Sequence, residues 1–213
     1  MNKDIIAKNP FDGIKVTVQA NPSRMYFVTI DEAKKVMDAC PDSQWRVIFA
    51  LCRYGGMRCP SELLTLKWMD VNWEKARITI HSPKTERYQG KDMRQIPIFP
   101  ELRPYLLEAF DLARDKLGYV ITFCRKKNTN LRTCFKRIIC KAHLKPWPKL
   151  FQNLRSSRET ELTEKFPLHV VCAWLGNSQL VAAKHYLQVT EDHFKRALAD
   201  NTTPGSPDSK QVA

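Results

Sequence analysis

The chain has 213 residues, 43% of them hydrophobic and 10% aromatic, enough for one ordinary domain with a core and too apolar for a disordered chain. Its 35 Lys and Arg against 22 Asp and Glu leave a net charge of +13, which favours a polyanionic partner, most simply nucleic acid, over a merely soluble basic surface. Seven cysteines are scattered singly, with no CxxC pair and no Cys/His cluster at zinc spacing, so no metal site is expected. Cys52, Cys134, Cys140 and Cys172 stand in apolar context and read as reduced core residues. No signal peptide and no apolar run of membrane-spanning length is present, and the expected place is the cytoplasm.

Residues 1–24 are polar, with Pro10 and Pro22, and read as a linker or arm. Thr29 to Glu32 is a capping box that should start a helix running to about Cys40. Ser43 to Tyr54 predicts a second helix with Trp45, Ile48, Leu51 and Cys52 inward, stopped by Gly55-Gly56. Arg58 then falls on a glycine-rich turn before a helix that Pro60 opens, an arrangement that adds a charge to an anion-favouring helix start. A solvated surface arginine is the plainer reading of that position.

Residues 70–98 change period. Ala76 to His81 alternates as a strand does, and Met93 to Ile98 is its partner, with Pro97 pointing to an edge. Ser82 to Asp92 form a polar hairpin loop carrying Lys84, Arg87 and Lys91. Glu101 to Leu117 predicts an amphipathic helix capped by Gly118, and Tyr119 to Phe123 a short extended run. Asn130 to Leu144 predicts a basic amphipathic helix. Arg132, Lys136, Arg137 and Lys141 form its polar side, suited to DNA and equally to plain solvation. The pattern is mainly helical with one small antiparallel sheet, an α+β arrangement.

Residues 151–186 organise the rest. Phe166-Pro167 restarts a helix, Gly176 suits a left-handed cap, and Ser178 starts a helix from Gln179 to about Leu187. Three short helices packed in this way can bring Arg155 and Tyr186 to one surface. Glu191 to Ala199 predicts a last short helix, and residues 201–213 a disordered tail.

Two stretches taken together resemble the tyrosine recombinase, or phage integrase, family over roughly residues 25–195. The first is Gly55-Gly56-Met57-Arg58-Cys59-Pro60-Ser61-Glu62, a glycine-rich turn with an arginine and an acidic residue four positions on. The second holds Gln152-Asn153-Leu154-Arg155, Leu175-Gly176-Asn177 and Tyr186 in the family's last box. Gln152 and Asn177 stand where the family usually has histidine, or at the latter position tryptophan. The resemblance implies a catalytic domain spanning residues 25–200 with a small three-stranded sheet, acting in DNA recombination and integration, often for a mobile element. It implies double-stranded DNA as partner, a homotetramer on DNA, a monomer away from it, and association with the nucleoid. It also implies a separate N-terminal DNA-binding domain before the arm, which this sequence does not contain.

The implied chemistry cuts a DNA strand with a phenol. Arg58 and Arg155 would bind the phosphate oxygens that gain charge, since planar guanidiniums match them in bidentate fashion. Lys84 would protonate the leaving 5′-oxygen. Tyr186 would form a 3′-phosphotyrosyl link that stores the bond energy, so no nucleotide cofactor is required. Glu62 would hold an arginine or a helix end. Read from spacing alone, Tyr186 is better explained as a core or interface residue. Glutamine at 152 donates but does not shuttle protons, and Asn177 is a phosphate donor or an ordinary loop residue. Slow but real cleavage is expected. A DNA-binding relative without turnover and a DNA-relaxing strand transferase like topoisomerase IB are the alternatives.

Overall fold

A computed structural model describes residues 21–82, 92–122 and 130–199. Residues 1–20 of the expected arm and the whole expected tail, 201–213, lie outside the described residues, as do Cys124 and the hairpin tip with Lys84, Arg87 and Lys91.

The described chain is mainly helical with one small antiparallel sheet. Helix α1 (Ile30–Ala39) begins at the predicted capping box, in which Thr29 Oγ1 accepts from Glu32 N at 3.2 Å and Glu32 Oε2 accepts from Thr29 N at 2.9 Å. Helix α2 (Ser43–Arg53) is capped by Asp42 and is buried along nearly its whole length, Trp45, Ile48, Leu51 and Cys52 included. Strands β1 (Val71–Asn72), β2 (Arg77–His81) and β3 (Met93–Pro97) follow in the order β1-β2-β3. The register sets Ile78 opposite Ile96 and Ile80 opposite Arg94, so Arg94 shares the inner face with three isoleucines. Pro97 stands on the edge strand, where its missing N–H costs no ladder bond.

Helices α3 (Arg103–Asp111), α4 (Leu131–Lys141), α5 (Leu150–Thr163), α6 (Leu168–Leu175), α7 (Gln179–His185) and α8 (Glu191–Ala199) complete the order. Helix α2 packs between α3 and α5, and α4 lies against α1 and α5. Phe135 of α4 stacks on Phe151 of α5 at 4.8 Å between ring centroids and meets Trp45, Phe49 and Trp147 around it. No helix among the described residues is long and apolar enough to cross a membrane.

Three expectations are corrected. The helix expected from Pro60 is a run of turns. The carbonyl of Arg58 accepts from both Glu62 N and Leu63 N, and the Glu62 carboxylate takes the N–H of Arg58, so the segment closes on itself instead of extending a ladder. The helix expected over residues 101–117 ends at Asp111. Beyond it Leu112 and Leu117 are exposed among the described residues, while Gly118 O and Leu66 O draw the chain alongside residues 66–68 through Trp68 N and Val120 N. Of the cysteines expected in the core, Cys52 and Cys172 are buried, Cys134 is half-buried, and Cys140 faces outward from the polar side of α4.

Candidate active site

The site forms where the turn after α2, the inner face of β3, helix α5 and the end of α6 meet. A helix leaves its last carbonyls without intrahelical donors. In α6 three successive carbonyls each receive a guanidinium. Trp174 O accepts from Arg94 Nε at 2.7 Å, Leu175 O from Arg155 Nη2 at 2.5 Å, and Gly176 O from Arg58 Nη2 at 2.6 Å. Cations at a helix C-terminus also complement its dipole.

Two glycines make this approach possible. Gly176 caps α6 at φ +71°, and a Cβ there would meet Arg94 Cδ at 2.9 Å. Gly56 has φ +63°, and a Cβ there would meet Leu175 Cδ2 at 2.4 Å. Its carbonyl accepts the other terminal nitrogen of Arg155, Nη1, at 2.7 Å.

Glu62 is the acidic centre. It is 1% exposed and accepts from Arg58 Nη1 at 2.5 Å, from Arg94 Nη1 and Nη2 at 2.7 Å each, and from Ser82 Oγ at 3.0 Å. Burial works to raise its carboxyl, but the hydrogen bonds and charge of Arg94, with the charge of Arg58, outweigh it and bring the value down to about 2. Arg155, at 2% exposure, is lowered to about 10 by burial and by the neighbouring charges of Arg58 and Arg94, and it stays charged at neutral pH. Three guanidiniums thus face one firmly ionised carboxylate. Arg94 is committed to Glu62, whereas among the described residues Arg155 donates to neutral carbonyls and Arg58 retains 21% exposure. The surplus positive charge suits an anion.

Tyr186 ends α7 beside this surplus and is half-buried. The guanidinium carbon of Arg155 lies 5.3 Å from its ring centroid. Its backbone carbonyl accepts from Ser156 Oγ at 2.5 Å, Gln188 Nε2 donates to the same Oγ at 2.8 Å, and Gln188 N donates to Thr160 Oγ1 at 3.1 Å. Helix α5 therefore carries both Arg155 and the anchor of the tyrosine.

Of the sequence-derived candidates, the structure brings together Arg58, Arg155, Glu62, Asn177 and Tyr186. Gln152 lies half-buried on α5, and no hydrogen bond joins its amide to the described residues. Asn177 does not offer its amide outward: Nδ2 donates to Glu159 Oε1 at 2.7 Å. Arg132, Lys136, Arg137 and Lys141 are exposed along one side of α4. Two members of the cluster went unread in the sequence. Arg94 was legible from its alternation with Ile96 and Ile98, which puts it on the inner face. Glu159 was legible from its place one helical turn after Arg155.

Fold and site together define a helical domain that concentrates guanidinium charge beside a phenol. The chain belongs to the phage integrase family, whose model matches residues 26–193. It is 30% identical to the tyrosine recombinase XerA of Pyrococcus furiosus over 180 residues, covering 80% of this chain and 60% of that protein. It is 27% identical to a tyrosine recombinase XerC-like protein of Caldanaerobacter subterraneus subsp. tengcongensis, covering 89% of this chain and 58% of the relative. The chain thus spans about three fifths of the length of these curated relatives. Among solved structures, an XerA recombinase aligns with a TM-score of 0.70 at 19% identity, over 86% of this chain and 68% of that one. The catalytic domain of bacteriophage HP1 integrase aligns at 0.55 and 21% identity, over 83% and 95%. A lambda integrase tetramer bound to a Holliday junction aligns at 0.60 and 18%, over 79% and 49%. At these identities the likeness is one of fold.

Proposed function

We propose that this chain is the catalytic domain, residues 25–200, of a site-specific DNA recombinase that cleaves and rejoins strands through a 3′-phosphotyrosyl intermediate. The observation that carries the reading is the seating of Arg58, Arg94 and Arg155 on three successive carbonyls of α6, next to the phenol of Tyr186. The Tyr186 phenol gives its proton up to water, its oxygen attacks phosphorus, the new O–P bond forms in line as the P–O5′ bond breaks, and the 5′-oxygen takes a proton from Lys84. Arg58 and Arg155 bind the non-bridging oxygens, where preorganised donors act most strongly on the transition state. Attack by a 5′-hydroxyl from a second duplex reverses the step on a new partner. The relatives named recombinases and the tetrameric lambda integrase support a tetramer on DNA, and such a domain would act in the cytoplasm at the nucleoid.

The test uses nicked duplexes of randomised sequence, in which the cleaved end diffuses away and traps the intermediate. Wild type should give a denaturation-resistant protein–DNA adduct and Tyr186→Phe none. DNA binding with no adduct from any member of the pool would favour a relative without turnover.

A further inference from the structure

The interior of the site holds one more ionisable group. Glu159 is fully buried, one helical turn beyond Arg155 on α5. Its Oε1 accepts from Asn177 Nδ2, as above. The other two oxygens of the pair, Glu159 Oε2 and Asn177 Oδ1, are both buried, and neither has a hydrogen-bond partner among the described residues. With the carboxyl ionised, both are acceptors, and each orphaned buried acceptor is unfavourable. One proton on Oε2 changes this. The amide N–H then donates to the acid carbonyl, the acid O–H has the amide carbonyl as its acceptor, and both orphans are satisfied in one ring.

The charged and titratable groups facing Glu159 are Arg155 on its own helix, Arg58 on the turn after α2 and Cys172 on α6. Burial pushes the Glu159 carboxyl up, and the Asn177 hydrogen bond with the charges of Arg155 and Arg58 only partly offsets this.

Asn177 directly follows the residues whose carbonyls hold the three guanidiniums. We propose that Glu159 is a positioning residue that works protonated, closing an acid–amide ring with Asn177 that fixes the end of α6 and so holds Arg58, Arg94 and Arg155 in place. Neutrality matters as much as the tie. A carboxylate one turn from Arg155 would cancel the charge meant for the phosphodiester, whereas the acid holds the turn and leaves that charge intact. The catalytic half of this inference rests on the cleavage reading above; the pairing itself does not.

Glu159→Gln keeps the shape, accepts and donates in the same ring, and does not titrate. In the adduct assay Glu159→Ala should lower the rate about 10²-fold, the scale of an ångström misplacement of catalytic groups. Glu159→Gln should restore most of that loss and remove whatever fall in rate Glu159 ionisation imposes on wild type as pH rises. An infrared difference spectrum of wild type against Glu159→Gln, on protein without DNA, should contain the carbonyl band of a protonated carboxylic acid at neutral pH. If wild type cleaves while the glutamine variant is as slow as the alanine one, or if only carboxylate bands appear, the inference is overturned. If wild type forms no adduct, the cleavage reading fails, and the infrared band alone decides the pairing.

Discussion

Arg94 grips Glu62 with both terminal nitrogens, Nη1 at 2.7 Å from Oε1 and Nη2 at 2.7 Å from Oε2, while its Nε reaches Trp174 O. The sheet and the end of α6 are thereby joined through one side chain. Replacing Arg94 with Ala leaves Glu62 with Arg58 as its one cation among the described residues and exposes the mismatch of a buried carboxylate. The expected loss is about 3 kcal/mol of stability, typical of breaking a buried pair from one side. Arg94→Lys should recover only part, because an ammonium lacks the planar fork that spans two carboxylate oxygens. Urea denaturation measures both; a lysine variant as stable as wild type would remove the bidentate argument.

Glu62 predicts an acid-side dependence of stability. Its folded value, about 2, lies below the ordinary carboxyl value of 4.5. A depressed carboxyl contributes stability that is fully present above its unfolded value and is lost as pH falls through the folded one. At about 1.4 kcal/mol per unit, the ionised group is worth about 3 kcal/mol, lost progressively from about pH 5 downward. Glu62→Gln should flatten that part of the pH–stability curve. Parallel curves for the two proteins between about pH 5 and pH 2 would contradict the assignment.

Gly56 bears on the site through Leu175. Gly56→Ala meets both a left-handed backbone, φ +63°, and the packed Leu175 side chain. The strain alone is about 1–3 kcal/mol. Leu175 must also shift, and its carbonyl holds Arg155. Thermal denaturation should register the first effect and adduct yield the second. A variant with an unchanged melting midpoint would place the turn outside the packed structure described above.

What was legible in the sequence tracks how local each signal is. The caps of α1 and α6, the alternation of β2 and β3, and the polar stripe of α4 are written within a few residues, and the structure agrees with them. Helix α5 is different. Asn153, Arg155, Ser156, Ser157, Arg158, Glu159 and Thr160 are all buried, so a search for an apolar stripe passes over its most enclosed faces. Their partners are remote in sequence: Ser157 Oγ accepts from Val28 N, Arg158 Nε donates to Tyr54 O, and Asn177 supplies the donor to Glu159. Polar burial of this kind depends on the assembled fold. The same reason bears on the turn at Pro60, because Glu62, which takes the N–H of Arg58 there, is held from afar by Arg94 and Ser82.

The exposed cations of α4 give a test of the DNA surface. Lys136 and Arg137 belong to a helix whose opposite side, with Phe135, Ile138 and Ile139, is in the core. Their charge is thus held on a rigid frame. If each contacts a phosphate, neutralising either should weaken binding across sequences and reduce the slope of log affinity against log salt by about 1. Equilibrium binding of Lys136→Ala and Arg137→Ala to random-sequence duplex DNA at several salt concentrations measures this. Slopes identical to wild type would return this face to ordinary solvation.

The anchoring of Tyr186 predicts which protomer's tyrosine cuts. Ser156, next to Arg155, holds the Tyr186 carbonyl, and Gln188 returns to Ser156 and Thr160 on the same helix. For the phenol to reach a neighbour's arginines, these three hydrogen bonds must break and the stack on Arg155 must open. Cleavage should therefore occur in cis. Mixing Tyr186→Phe, which keeps the arginines, with Arg155→Ala, which keeps the phenol, should yield no more adduct than the two proteins give separately. If the mixture regains a sizeable part of wild-type adduct, the tyrosine crosses between protomers and the link between α5 and Tyr186 opens on DNA. Ser156→Ala separates the two cases further: a cis enzyme loses rate with the anchor, while a trans enzyme gains freedom to exchange its phenol.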